Sequence, residues 1–335
     1  MRVRTSVASY EIERVRLDEL LTLIPEESCI ITDSVIVECY PQLIGPFKRL
    51  LVLPSGEETK SLACFGHCLS WLAANRASRR THLVALGGGV IGDLVGFVAA
   101  SYMRGVPYIQ VPTTLLAQVD SSVGGKVGID LPEGKNLAGA FYAPTRVWVV
   151  KEFLHSLPDR QIRNGMGEVI KYGFIREPQI LERTIPLSWE DLAVVVDLCI
   201  QLKSTIVEED EFETRGIRAS LNFGHTIAHA LETVLNYTEL LHGEAVGIGM
   251  ILEARLGERI GVTERGVAAT VEKKVQECGL PTYHPALKQI DLLIGAMYRD
   301  KKVLANSLTF SLLTQIGTCK LFPGVGEEQV RSVLS

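Results

Sequence analysis

A chain of 335 residues, 47% hydrophobic and 22% charged, has the length for two ordinary domains, each with its own core. The formal net charge of -5 excludes the broad basic field that nucleic-acid binding needs. The first twenty residues carry charge but no apolar core of a secretory leader, and no apolar run reaches membrane-span length, so a cytoplasmic protein is expected.

Up to about residue 150, short apolar runs alternate with helical patterns. Strands are predicted at 29–33, 50–54, 82–89, 108–112 and 146–150, most of them ended by Gly, Pro or Asp. Helices are predicted at 61–75 and 91–102. The first contains Cys64 and Cys68, four apart on one helical face, which read as small core residues. The seven cysteines form no disulfide framework, as suits a reducing compartment. Strand and helix in alternation imply a doubly wound, mostly parallel sheet, whose ligands sit at the carboxyl ends of the strands.

After Phe153 long amphipathic segments follow at 159–174, 189–210, 220–235, 243–260 and 263–278, with one short strand candidate at 308–313. The fold class expected is α/β plus all-α: an N-terminal sheet domain over 1–152 and a C-terminal helical domain over 153–335. A cleft between two such domains is a usual place for an active site.

The segment HLVALGGGVIGDLVG (82–96) runs from a strand through three glycines into a helix opening near Ile91. Free N–H groups at a helix start receive phosphate, and glycine admits close approach. The spacing is not the dinucleotide fingerprint, so an ordinary tight turn stays open as the alternative. Asp93 reads as a helix-dipole partner or a ligand contact. In PSGEETK (54–60), Glu57 and Lys60 read either as part of a capped helix start or as ribose and adenine contacts.

Three later segments carry ligand-type side chains: GMGEVIKYG (165–173), LNFGHTIAHALE (221–232) and LHGEAVGIGM (241–250). His225 and His229 lie four apart on one helical face. His242 opens a further helical segment behind a turn, and Glu168 lies three residues before Lys171; a carboxylate plus two imidazoles from such a group leaves open positions on a divalent ion. HTIAH lacks the glutamate of a metallopeptidase helix, which argues against a peptidase. Arg104, Lys126 and Lys135 stand in glycine-rich, low-charge surroundings, where buried cations would demand anions such as phosphate and carboxylate.

Together these segments resemble the 3-dehydroquinate synthase family. The run 87–144 resembles the family's central signature, and PSGEETK, GEVIKYG, LNFGHTIAH, LHGEAV and RDKK match its other motifs in order, covering residues 54–302. The resemblance implies zinc or cobalt ligands at Glu168, His225 and His242. It implies NAD contacts at Asp33, Glu57, Lys60, Gly88, Gly89, Val90, Ile91, Gly92, Asp93, Thr113, Thr114, Lys126 and Lys135. It implies substrate contacts at Asp120, Lys126, Lys135, Asn136, Lys171, Lys203, Arg218, Asn222, His229, Lys301 and Lys302, with Lys126, Lys171, His229, Asn136 and Arg104 also catalytic. Arg104 would act from a second copy, so a homodimer is implied. The implied reaction converts 3-deoxy-D-arabino-heptulosonate 7-phosphate to 3-dehydroquinate and phosphate, through transient oxidation by NAD, elimination, re-reduction, ring opening and aldol closure.

One departure stands out. DEFETRGIR (210–218) carries one residue more than the family's pattern before Gly216, so the proton-transferring glutamate would be Glu213, in a changed register to Arg218. The competing expectations are a sister cyclase making an inosose or a valiolone, a metal-dependent polyol dehydrogenase with net NADH production, and a catalytically dead scaffold. Arg218, Asn222 and His229 together favour the carboxylated substrate, and the intact ligand-type residues argue against the last.

Overall fold

The computed structural model describes residues 1–6, 9–184, 188–300 and 308–334. The chain divides into two compact units, Met1–Pro158 and Asp159–Ser335.

The first unit is built on a seven-stranded sheet. Its strands are β1 (Arg2–Arg4), β2 (Ser9–Arg14), β3 (Cys29–Asp33), β4 (Leu50–Leu53), β5 (Leu83–Gly87), β6 (Tyr108–Pro112) and β9 (Arg146–Val149), in the order β1-β2-β9-β6-β5-β3-β4. All neighbours are parallel except the β1–β2 edge pair. Every residue of β5 and β6 is buried, which is why both read as continuous apolar runs: a parallel strand covered on both faces has no solvent side to make polar. One face packs on α1 (Leu62–Ala74) and α2 (Gly89–Ser101), where Leu94, Val95, Val98 and Ala99 have no exposed surface. Each aliphatic side chain of Val or Leu size buried in this way contributes about 1.5–3 kcal/mol.

The chain passes from β3 outward to β4, then returns to place β5 on the other side of β3. That reversal opens a crevice at the carboxyl ends of β3 and β5. Thr32 Oγ1 closes its floor by donating to Leu86 O at 2.7 Å. A hairpin of β7 (Lys126–Leu131) and β8 (Gly134–Phe141) follows β6. It packs so closely on α2 that a Cβ on Gly96 would sit 2.4 Å from Val127 Cγ1.

The second unit comprises α3 (Asp159–Ile175), α4 (Trp189–Glu209), α5 (His225–Val234), α6 (His242–Arg259), α7 (Val267–Glu277), α8 (Ile290–Asp300) and α9 (Glu327–Leu334), with an antiparallel hairpin of β10 (Leu308–Gln315) and β11 (Thr318–Val325). The hairpin's first strand covers the short strand expected at 308–313, while β11 is not among the expected strands. Residues Leu308, Phe310 and Leu312 of the hairpin enter the same core as Ile248, Leu252 and Leu256 of α6. The helix predicted over 220–235 is corrected. A 3-10 turn (Arg218–Asn222) ends at Gly224, which is left-handed at φ 84°, and α5 begins only after it. All seven cysteines are free.

Candidate active site

In the second unit, glycines bring three helix segments together. A Cβ on Gly243 would lie 1.8 Å from Asn164 O, one on Gly167 2.5 Å from Gly243 O, and one on Gly249 1.9 Å from Gly224 O. Only bare backbone allows α3 to meet the start of α6, and α6 to meet the start of α5. Asn164 Oδ1 accepts the Gly243 N–H at 2.7 Å, and the buried Glu253 carboxylate accepts from Gly224 N at 2.7 Å and Ile227 N at 3.2 Å. The N-terminal residues of α5 and α6, His225 and His242, are thereby fixed against Glu168 of α3.

Glu168 has no exposed surface. Its Oε1 lies 3.3 Å from His225 Nε2 and 3.5 Å from His242 Nε2, and the three ligand-type atoms fall within 4.8 Å of one another. A tetrahedral ion with bonds of about 2.0–2.1 Å separates neighbouring ligand atoms by about 3.3–3.4 Å, so the set fits a divalent cation. Glu168 Oε2 is paired with the Lys171 ammonium, while Oε1 accepts no well-formed hydrogen bond among the described residues and faces the two imidazoles, an arrangement that suits a cation shared by the three. Each imidazole turns its other nitrogen outward: His225 Nδ1 lies 3.2 Å from Phe223 O, and His242 Nδ1 lies 3.3 Å from Glu232 Oε1.

Lys171, one turn along α3 and equally buried, contacts Glu168 Oε2. Burial alone would raise the Glu168 carboxyl, but the Lys171 ammonium and His225 outweigh it and hold it well below the usual carboxylate range. Burial, reinforced by Lys171, pushes the His225 imidazole down to about 4. For His242 burial acts downward too, but Glu232 and Glu168 overcome it and raise the ring to about 10. The His229 ring centroid stands 5.4 Å from that of His225 and 6.3 Å from that of His242.

In the same unit Lys203 of α4 and Arg218 are buried, and Arg218 donates from Nη1 to Glu211 O at 2.6 Å. The 210–218 turn is organised by Asp210. Its carboxylate accepts from the backbone N–H groups of Thr214, Arg215, Ile217 and Arg218 at 2.9–3.1 Å. The extra residue is accommodated by left-handed backbone at Glu213, φ 57°, and Gly216, φ 77°. Glu213 Oε1 accepts from Asn222 Nδ2 at 2.8 Å, so two of the expected site residues meet there. Lys301 and Lys302 lie outside the described residues.

In the first unit, the expected cofactor residues gather at the β3/β5 crevice. Gly88 N-caps α2 without a side-chain cap, leaving Gly89, Val90, Ile91 and Gly92 in its first turn. A Cβ on Gly88 would lie 3.1 Å from Thr114 Cγ2, and one on Gly89 3.0 Å from Ser121 Oγ. Bare backbone N–H groups at a helix start, with no room for side chains, fit a phosphate-bearing dinucleotide. Thr113 N donates to Gly87 O at 3.0 Å, and Asp33 caps the helix that follows β3 by accepting from Ile36 N at 3.1 Å. Lys60, 5% exposed, donates to Asp93 Oδ2 at 2.7 Å and Asn136 Oδ1 at 2.5 Å. Burial would lower its ammonium, but Asp93 and Glu57 outweigh this and raise it. Asp93 is therefore an ion-pair partner rather than only a dipole partner. Lys135 pairs with Glu57 at 3.2 Å, and left-handed Asn136 (φ 55°) donates its backbone N–H to Asp130 Oδ1 at 2.8 Å.

Two expectations need correction. Glu57 and Lys60 do not start a helix: Glu57–Thr59 is a 3-10 turn, and α1 begins at Leu62 behind the capping Ser61. Arg104 and Lys126 are exposed, so low local charge did not mark buried cations there. Asp120 is half-buried in a π-helical turn, Ala117–Ser121. Sequence reasoning missed Glu232, Glu253 and Asp210. Only Glu232 left a signal: it lies seven residues after His225 and three after His229, hence on their helical face.

Residues 50–164 match the family profile for 3-dehydroquinate synthase N-terminal, and residues 165–303 the profile for 3-dehydroquinate synthase C-terminal. The chain is 43% identical over 318 residues to 3-dehydroquinate synthase of Pseudoalteromonas translucida, covering 91% of this chain and 89% of the relative. It is 48% identical over 282 residues to that of Opitutus terrae, covering 82% and 78%. Among solved structures, 2-deoxy-scyllo-inosose synthase complexed with carbaglucose-6-phosphate, NAD+ and Co2+ matches with a TM-score of 0.87 at 26% identity, covering 100% of this chain and 98% of that one.

Proposed function

Since this chain belongs to the 3-dehydroquinate synthase family, we propose that it converts 3-deoxy-D-arabino-heptulosonate 7-phosphate to 3-dehydroquinate and phosphate, as a cytoplasmic homodimer dependent on NAD and a divalent metal ion. The observation that carries the reading is the buried Glu168 carboxylate facing two Nε2 atoms at tetrahedral-edge spacing. Bound NAD supplies a temporary hydride acceptor, and a bound Zn2+ or Co2+ supplies Lewis acidity at the oxidised carbon's oxygen.

The chain's own residues do the rest. Glu168, His225 and His242 hold the ion. Gly88–Asp93, Glu57, Lys60, Asp33, Thr113 and Thr114 hold NAD. Lys171 keeps Glu168 ionised and offers N–H donors to a substrate hydroxyl. His229, beside both imidazole ligands, holds or passes a proton at a ring nitrogen. Lys203, Arg218 and Asn222 bind the substrate's anionic groups, with Asp120, Lys126, Lys135, Asn136 and the Lys301–Lys302 pair completing its contacts. Arg104, being exposed, is free to serve a second copy. Fixed cations of this kind stabilise the departing phosphate, which itself takes the neighbouring C–H proton. Glu213, held by Asn222, serves the later proton transfers.

A second reading, a sister cyclase, is favoured by one observation: the solved inosose synthase aligns over the whole chain. The experiment that separates the readings incubates the protein with NAD, zinc and either the heptulosonate 7-phosphate, glucose 6-phosphate or sedoheptulose 7-phosphate. Phosphate release from the carboxylated heptulosonate without net NADH is the expected result. Release only from a substrate lacking the carboxylate, or accumulation of NADH, would overturn the proposal.

A further inference from the structure

Glu232 has no place in the roles above, yet it is 3% exposed and its Oε1 sits 3.3 Å from His242 Nδ1. It projects from α5, the same helix that opens with His225. A buried glutamate carboxylate beside an imidazole is costly unless it serves that imidazole. A neutral imidazole has one N–H and one lone pair, and the partner of one nitrogen decides which is which. For His225 the choice is made by a backbone carbonyl, Phe223 O at 3.2 Å from Nδ1. For His242 it is made by a side chain.

The geometry points to Glu232 as the positioning residue of the metal centre: it accepts the His242 Nδ1–H, so that the Nε2 lone pair faces Glu168 Oε1 and the ion held there. The inference rests on the metal-site reading above and deepens it. It gives the two imidazoles different supports. His225 is oriented by the backbone that leads into α5, which no substitution removes. His242, 29% exposed and less hemmed in, depends on a carboxylate that also brings a second buried negative charge toward the cation. Outer carboxylates of this kind change metal affinity about 10–100-fold when removed.

The test measures zinc affinity of the metal-free protein by competition with a chromophoric chelator, together with the visible spectrum of the cobalt-loaded protein. Glu232→Met keeps the side-chain length and removes the acceptor. Its zinc dissociation constant is expected to rise 10–100-fold, with a changed cobalt spectrum, while the melting temperature of the metal-free protein stays near the parent's. Glu232→Gln retains one oxygen that can accept the same N–H, and is expected to recover part of that loss. Zinc binding by E232M within threefold of the parent overturns the assignment, and so does E232Q no tighter than E232M. Should E232M fail to fold, E232Q decides: a loss of threefold to tenfold supports the role, and binding within threefold of the parent overturns it. His242→Ala is the control for the underlying reading. If H242A also binds zinc like the parent, the metal site itself is misassigned; if H242A loses zinc while the Glu232 variants keep it, only the positioning role fails.

Discussion

Replacing Gly243 by alanine tests whether close backbone approach builds the metal site. The new Cβ would lie 1.8 Å from Asn164 O, whereas ordinary contact begins at 3.4 Å, so α3 and α6 must separate locally by about 1.6 Å. The same movement stretches the Gly243 N–H bond to Asn164 Oδ1, now 2.7 Å. Overpacking of this kind costs about 1–3 kcal/mol, and a strained hydrogen bond adds about 0.5–1.5 kcal/mol. At roughly 2–4 °C per kcal/mol, the melting temperature should fall by about 3–18 °C. His242 precedes Gly243 and Glu168 lies on α3. A comparable displacement would open their 3.5 Å spacing beyond the edge of a zinc tetrahedron. Zinc affinity should drop at least tenfold. Gly295→Ala is the control: it also sits in a helix, α8, but its Cβ would meet nothing within 4 Å, so alanine there should be neutral or stabilise by about 0.5–1 kcal/mol. Calorimetric melting and zinc competition on both variants provide the readout. A Gly243→Ala protein that melts and binds zinc like the parent would refute the reasoning.

Asp210→Asn leaves one side-chain oxygen for a turn that now uses both, so two of four backbone N–H groups lose their acceptor, each at about 1–3 kcal/mol. A lower melting temperature and faster hydrogen exchange over 213–218 should follow; unchanged exchange would contradict the assignment. The pH sign is set by the same carboxylate: burial pushes Asp210 upward, but the backbone N–H groups win and its folded value lies below the ordinary one. Its contribution is present above about pH 3.9 and lost as pH falls through the lower folded value, so D210N should lack that part of the acid transition. In the first unit, Lys60→Met removes the ammonium from both Asp93 and Asn136 and should weaken NAD binding at least tenfold by titration calorimetry; parental affinity would remove this cluster from the cofactor site.

The inner sheet strands were legible because burial on both faces leaves unbroken apolar runs, as at Leu83–Gly87 and Tyr108–Pro112, whereas the strands Arg2–Arg4 and Ser9–Arg14 at one edge, with exposed and charged residues, were missed. Of the two hairpins outside that sheet, only Leu308–Gln315 was legible, and the β7–β8 pair was not. Along Gly134–Phe141 exposed and half-buried residues mix, so no apolar period announces a strand. The metal ligands were legible as residue types, but nothing local says that Gly243, Gly249 and Gly167 are contact points between helices. That information lies in pairs of residues far apart in the chain. Glu253 and Asp210 stayed hidden for a similar reason. Each is an ordinary acidic residue at the end of, or inside, an amphipathic helix, and only the fold reveals that its partners are backbone N–H groups. The exposed Arg104 and Lys126 show the converse failure: glycine-rich surroundings reflect backbone demands, and they say little about solvent.

The most direct measurement is a crystal of the protein grown or soaked with zinc, read by anomalous diffraction at the zinc edge. A single strong peak about 2.0–2.2 Å from a Glu168 oxygen and from the Nε2 atoms of His225 and His242 is what this account requires. Saturating zinc with no density there, or an ion bound through other side chains, would contradict it.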